Sequence, residues 1–284
     1  MSAVSEQIVP GLGGVPETLL IPLWARAVEQ RQANPIIHDP EASRIVASLD
    51  YDFECFGEKR VEVENFCIRA RVMDQLVSGI LKQSSPRRNV VEFGPGLDTR
   101  CSRIGAKVPH WLEVDLPEVI SLRSRFLPAT GNRTMVGSSM LDDAWIEAIR
   151  EKCDVPPLFI AEGVFYFFSK EQIREFMKRL SDAFPGSDLV FDAVSSWYLK
   201  LANLRHPLSS SRLQFSLRSH AADIPEWDAG FGIKNYIGFG DSPAYDDVIH
   251  RFPMWKRVLR KICPYSRHAF MVVHVGMPAE VRQA

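Results

Sequence analysis

The sequence predicts an α/β fold: a mostly parallel sheet with helices on both faces. Two observations carry that prediction. From residue 85 onward, short apolar runs alternate with helical stretches, the order expected when helices make the crossovers of a parallel sheet. The first of those runs, Val90-Val91-Glu92-Phe93, passes directly into Gly94-Pro95-Gly96. Glycines at the carboxyl end of a strand let the backbone approach a ligand closely, which makes the fold Rossmann-like.

The elements follow in chain order. Residues 1–14 read as a loose arm. Helices are expected at 19–30 and 39–49, the second opened by Asp39 as cap with Pro40 at the first helical position. A longer helix spans 61–82, with Phe66, Met73, Leu76, Val77 and Ile80 at helical spacing. Together these form a helical N-terminal extension over 1–84, packed on a core over 85–284. In the core, strands are expected at 89–93, 111–114, 134–136, 158–161 and 189–193, and helices at 99–104, 117–127, 142–150 and 170–184. Ser169 and Gln172 have the spacing of a capping box for the last helix. Residues 195–250 break the rhythm with Ser, Asp, Pro, Gly and aromatics, and are expected to form an insertion over the sheet edge. Residues 269–275 read as a final strand.

Bulk properties narrow the function classes. The 284 residues are 46% hydrophobic and 24% charged, a globular composition. A net charge of −1 gives no overall case for a nucleic-acid partner or a membrane partner. The short basic clusters at 87–88 and 257–261 read as solvated surface. The cysteines Cys55, Cys67, Cys101, Cys153 and Cys263 are widely spaced with no CxxC pair. Reduced thiols in a cytoplasmic protein, and no metal site, are therefore expected. The first 14 residues lack the pattern of a secretion signal, and no apolar run is long enough to span a bilayer.

The glycine turn lacks a third glycine, because Asp98-Thr99 stands where a dinucleotide fingerprint would place it. Glu92, two residues before Gly94, suits a cationic cofactor and would repel a pyrophosphate. An NAD-dependent oxidoreductase is disfavoured on both counts. Asp115 lies at the end of the second strand, where an acid can accept ribose hydroxyls or cap the helix that Pro117 begins. Arg69 shares the helix face of Phe66, Met73, Leu76 and Ile80, whereas Arg71 points to the opposite side. A guanidinium on an apolar face needs an anion, either an internal acid or a ligand carboxylate. Glu162 ends the fourth strand before Gly163, placed to hold an ammonium group or to act as a loop carboxylate.

Three segments together resemble the leucine carboxyl methyltransferase family, and more specifically its bacterial polyketide O-methyltransferase branch. They are Val-Val-Glu-Phe-Gly-Pro-Gly-Leu-Asp-Thr-Arg (90–100), Glu-Val-Asp-Leu-Pro-Glu-Val (113–119) and Ala-Glu-Gly-Val-Phe-Tyr-Phe (161–167). Pro-Glu-Thr-Leu-Leu (16–20), Arg26-Ala27 and His38-Asp39-Pro40-Glu41-Ala42 fit the same branch. The resemblance implies a class I methyltransferase with a seven-stranded sheet and S-adenosylmethionine as cofactor, leaving S-adenosylhomocysteine as product. It implies that Arg69 holds the methionine carboxylate, Gly94 and Gly96 form the cofactor turn, and Asp115 with Leu116 meets the ribose. It likewise implies Ser139-Met140 beside the adenine and Glu162 near the methionine amino end. Glu92 stands where the family usually has asparagine, and Ser139 where it usually has aspartate.

The expected function is methyl transfer to a carboxyl or hydroxyl oxygen of a small molecule, in secondary metabolism. The alternatives are a protein C-terminal carboxyl methyltransferase and a non-catalytic S-adenosylmethionine-binding module. A carboxylate acceptor needs no base, whereas a phenol, with a pKa of about 10, would profit from one, for which His206 and His220 are candidates. Trp197, Tyr198, Phe215, Trp227, Phe231, Tyr236 and Phe239 are the aromatic set from which an acceptor pocket could be drawn, part of it serving as core.

Overall fold

The computed structural model describes residues 8–12, 16–56, 60–105, 108–205, 213–228 and 230–279. Most of the expected N-terminal arm, and His206, lie outside the described residues.

Three helices come first: α1 (Leu20–Glu29), α2 (Pro40–Ser48) and α3 (Arg60–Gln83). Asp39 caps α2, its carboxylate accepting from Ala42 N at 3.0 Å. The sheet strands are β1 (Val90–Phe93), β2 (Trp111–Asp115), β3 (Arg133–Gly137), β4 (Leu158–Ala161), β5 (Asp188–Val194), β6 (Gly232–Gly238) and β7 (Phe270–Gly276). Between them lie α4 (Arg100–Ile104), α5 (Pro117–Phe126), α6 (Ala144–Arg150), α7 (Lys170–Ala183) and α8 (Ser196–Arg205). Ser169 and Gln172 form both bonds of the capping box that starts α7.

The seven strands are ordered β3-β2-β1-β4-β5-β7-β6. The first five run parallel, and β7 inserts antiparallel between β5 and β6. The chain winds outward from β1 in one direction and from β4 in the other, so these neighbours mark the switch point where doubly wound sheets bind ligands. β6 was not among the expected strands: its apolar residues Ile233, Tyr236 and Ile237 do not alternate, and its pairing with β7 shifts register between Ile233 and Asn235.

Strand periodicity divides the sheet into two faces. Val91, Phe93, Phe159 and Phe191 pack with Trp145 of α6 and with Phe176 and Leu180 of α7. Val90, Trp111, Ile160 and Val190 face the other way, against Ala25 of α1 and Ile68, Met73 and Val77 of α3. Continuing that alternation places Glu92, Glu113, Glu162 and Asp192 on the α3 face, each at the parity of an apolar neighbour. Four acids on one covered face require partners, and the helices supply them as arginines.

Candidate functional site

A cavity of about 440 Å³ opens at the carboxyl ends of β1, β2 and β4. Arg69, Glu92, Gly94, Gly96, Asp115, Leu116, Ser139, Met140 and Glu162 all line it. The topology brings them there: β1 ends in the glycine turn, β2 in Asp115 and β4 in Glu162, while α3 crosses their ends with Arg69.

The turn needs glycine at its two key positions. Gly94 and Gly96 have φ of 60° and 51°, in the left-handed region. A Cβ on Gly94 would lie 2.4 Å from Val164 Cγ2, so the close approach is also steric. Asp115 braces the turn. Its Oδ2 accepts from Gly96 N and its Oδ1 from Leu116 N, both at 2.8 Å. Each oxygen keeps a second lone pair, the requirement for accepting two ribose hydroxyls. Leu116, not Asp115, occupies the cap position of α5 and makes no side-chain cap bond. Ser139 accepts from Leu141 N through its hydroxyl at 3.2 Å.

The floor is a network of buried charges. Arg69 Nε donates to Glu162 Oε1 at 2.9 Å and Nη1 to Asp192 Oδ2 at 3.4 Å, with the guanidinium over the Phe66 ring. Of the two partners weighed for Arg69 in the sequence, the internal acid is therefore present. Its Nη2 makes no protein hydrogen bond among the described residues, so a carboxylate can still be gripped there. Arg71 pairs instead with Asp247 at 2.6 Å, nearer the surface. Arg100, fully buried, bridges Glu92, Asp74 and Glu162. Arg103 joins Asp74, Asp98 and Asp39, and Arg26 joins Asp39 and Asp98. Four arginines thus face six acids, and the surplus is negative.

The acids differ in how firmly they hold their charge. Burial lifts the Glu92 carboxyl to about 7, against the pull of Arg100. Burial also acts on Glu162, but Arg100 and Arg69 overcome it and hold that carboxyl below its ordinary value. Asp98 is held well below the usual range because Arg103, Arg26 and Arg100 outweigh its burial. Burial raises Asp115, opposed by the two backbone donors. Tyr166 donates its hydroxyl to Asp192 at 2.7 Å, and burial with that acid pushes the phenol far above its ordinary value.

The cavity is also largely apolar. Leu19, Ile21 and Pro22 from the N-terminal segment, Phe66, and Val164, Phe167, Phe168, Leu213 and Phe270 line it. None of the aromatic set picked from the insertion does. Phe215 is core, with Phe165 and Phe191 against it and Trp227 beyond. Tyr198 packs behind Phe270 with ring centroids 4.6 Å apart. Trp197 is exposed, and Phe231 and Phe239 are buried away from the cavity. Tyr236 neighbours His220 and His268 at 5.1 and 5.5 Å. His220 is exposed, holds a left-handed backbone (φ 57°) and does not line the cavity.

Arg100, Asp98, Asp192 and Tyr166 were not picked from the sequence as site residues. A signal existed for two of them. Asp192 interrupts the apolar run over 189–194 at the parity of Val190, and Arg100 sits one turn past the glycines, within reach of Glu92.

A cavity at the switch point, with a glycine turn, an acid on β2 and a surplus of buried carboxylates, fits a cationic nucleoside cofactor. The fold is that of the S-adenosylmethionine-dependent methyltransferases. Such an enzyme from Mesorhizobium loti superimposes with a TM-score of 0.50 at 13% identity, over 72% of this chain and 97% of that one. Residues 20–181 match the leucine carboxyl methyltransferase family, and the chain belongs to it. The tetracenomycin polyketide synthesis O-methyltransferase of Streptomyces glaucescens is 31% identical over 72% of this chain and 75% of its own length. The S-adenosyl-L-methionine-dependent methyltransferase dpfgK of Gibberella zeae is 25% identical over 81% of this chain and 86% of its own. The protein is an S-adenosylmethionine-dependent methyltransferase.

Proposed function

We propose that the protein methylates an oxygen of an apolar small molecule, and that this oxygen is a carboxylate. The observation that carries the reading is the apolar part of the cavity lining. Among the described residues lining it, no histidine, lysine or cysteine stands ready as a base. Tyr166 has its hydroxyl committed to Asp192, and the lining acids Glu92, Asp98, Asp115 and Glu162 are each held by an arginine or by the backbone of the glycine turn. A carboxylate is ionised at neutral pH and needs no base, whereas a phenol has a pKa of about 10. The cavity's volume, which cofactor and acceptor would share, falls within the range of about 300–1,000 Å³ usual for small-molecule sites. The tetracenomycin relative's name supports a place in secondary metabolism.

S-adenosylmethionine supplies an electrophilic methyl group on a sulfonium. The chain's part is to position and to exclude water. Arg69 is the residue to receive the cofactor carboxylate, Glu162 and the surplus acids the ammonium and sulfonium charge, and Asp115 the ribose hydroxyls. The glycine turn permits close approach. Leu19, Ile21, Phe66 and Phe167 would hold the acceptor dry beside the bound cofactor.

The test is methyl transfer from labelled S-adenosylmethionine to a panel of flat aromatic carboxylic acids and the matching phenols. The expected outcome is ester formation whose rate is level across neutral pH. Ether formation on the phenols, with a bell-shaped dependence centred near pH 7, would overturn the carboxylate assignment.

A further inference from the structure

The helix Met254–Ile262 is turned inside out. Met254, Trp255, Val258, Leu259 and Ile262 lie along one face, and each is exposed, from 39% at Leu259 to 73% at Ile262. Tyr265, just beyond, is also exposed. The opposite face is basic and turned inward: Arg260 donates to Gly240 O at 2.5 Å, pairs with Asp246 at 2.7 Å and lies over the Tyr245 ring. Apolar residues placed outward in this way cost free energy in water unless something covers them.

The charges around that face say what the cover is. Residues 254–268 contain Lys256, Arg257, Arg260, Lys261 and Arg267, and no acid; Arg260 and Arg267 pair with Asp246 and Asp241, so Lys256, Arg257 and Lys261 are the cations that rim the apolar face. Lys261 and Arg257 flank the apolar stripe on one side and Lys256 on the other. A second copy of this chain packed on the same face would oppose two such rims, and like charges across an interface are unfavourable. An anionic cover is complementary. A short, strongly amphipathic helix with Trp, Leu and Met outward and Lys and Arg at its rim is the pattern of helices that lie in a membrane interface.

A second stripe points the same way. Trp197, Leu201 and Leu204 of α8, spaced by four and three, are exposed at 40%, 37% and 78%. α8 leaves the end of β5, and the chain from Tyr265 returns into β7, where Ser195 N bonds Ala269 O at 3.0 Å. Val194 and Phe270, the strand residues on either side of that junction, line the cavity. Both exposed stripes thus stem from the end of the sheet at which the cavity opens.

We propose that Met254–Ile262, with α8 beside the cavity, seats the enzyme on an anionic lipid surface. The net charge of −1 is an average over the whole chain, and residues 254–268 depart from it with five cations and no acid. The proposal does not depend on the acceptor's identity, and its test reads binding alone.

The experiment is flotation of the full chain with phosphatidylcholine vesicles, with and without phosphatidylglycerol. Binding to the anionic vesicles is expected to be at least about tenfold stronger, and to fall as salt is raised. Trp255→Glu with Ile262→Glu is expected to abolish it while leaving the melting temperature unchanged, because both side chains already face water. Three outcomes overturn the proposal. One is a protein that stays off both vesicle types, which leaves the face to an acidic protein partner. Another is binding that the double variant retains. The third is a wild-type dimer by light scattering that the double variant dissociates, with no vesicle binding.

Discussion

Glu92 and Glu113 stand side by side on adjacent strands, paired in register on the same covered face of the sheet. Both are buried and both meet arginine, yet they belong to different kinds of site. Glu113 is closed off: Arg123 grips it from α5 through Nε at 2.9 Å and Nη2 at 2.6 Å, and Arg133 adds Nε at 3.0 Å. Neither Glu113 nor these arginines line the cavity. Glu92 belongs to a network with more acids than arginines, one edge of which is the cavity wall. Buried charge alone therefore marks no functional site. What marks one is a network left incomplete in charge and in hydrogen bonds where it meets open space. The two clusters meet where Arg123 Nη1 donates to Gly96 O at 2.7 Å and steadies the glycine turn.

The largest effect should come from Arg69→Ala. It leaves Glu162 and Asp192 short of a partner, so stability is expected to fall by about 3–5 kcal/mol. The affinity for S-adenosylhomocysteine should fall tenfold or more, the loss of about 1.5–3 kcal/mol in charge-assisted bonding. Chemical denaturation and calorimetry measure the two separately, and wild-type affinity in folded variant would remove Arg69 from the cofactor site.

Arg133→Met cuts the closed cluster without touching the turn. Stability should drop by roughly 1–3 kcal/mol while S-adenosylhomocysteine affinity stays at the wild-type value. A matching loss of affinity would erase the distinction drawn between the two clusters.

The smallest effect is a pH slope. Glu92 titrates at about 7 in the folded chain against an ordinary 4.5, so between those values the folded state holds the extra proton. Its contribution to stability accordingly falls as pH rises through that window and is level above it. Glu92→Gln removes the term, so the variant should gain on wild type by at most about 1.4 kcal/mol per pH unit there. Denaturation series across the window that run parallel for the two proteins would contradict the assignment.

Much of this was legible in the chain before folding. Strand–helix alternation, the caps at Asp39 and Ser169, and the glycine turn are local signals, and the elements they mark formed where expected. Arg69, Asp115 and Glu162 stood out because each is a charge at an apolar or strand-end position. The apolar part of the cavity lining was not legible. The aromatics of 195–250 suggested a pocket, but Phe215 went to the core and Trp197 to the surface. The wall came instead from Leu19, Ile21, Pro22 and Phe66, whose apolar character has nothing to set it apart from ordinary core.

The sequence by itself determined the periodicities, the turn and the placement of charge along each element, because those depend on residues within one or two turns of each other. Tertiary structure alone decided which acids meet which arginines, that the network stays in acid surplus at the cavity, and that one helix carries its apolar face outward. Those outcomes depend on the order in which strands assemble and on which helix covers which strand. Residues as far apart as Arg69 and Asp192 become neighbours only through that packing.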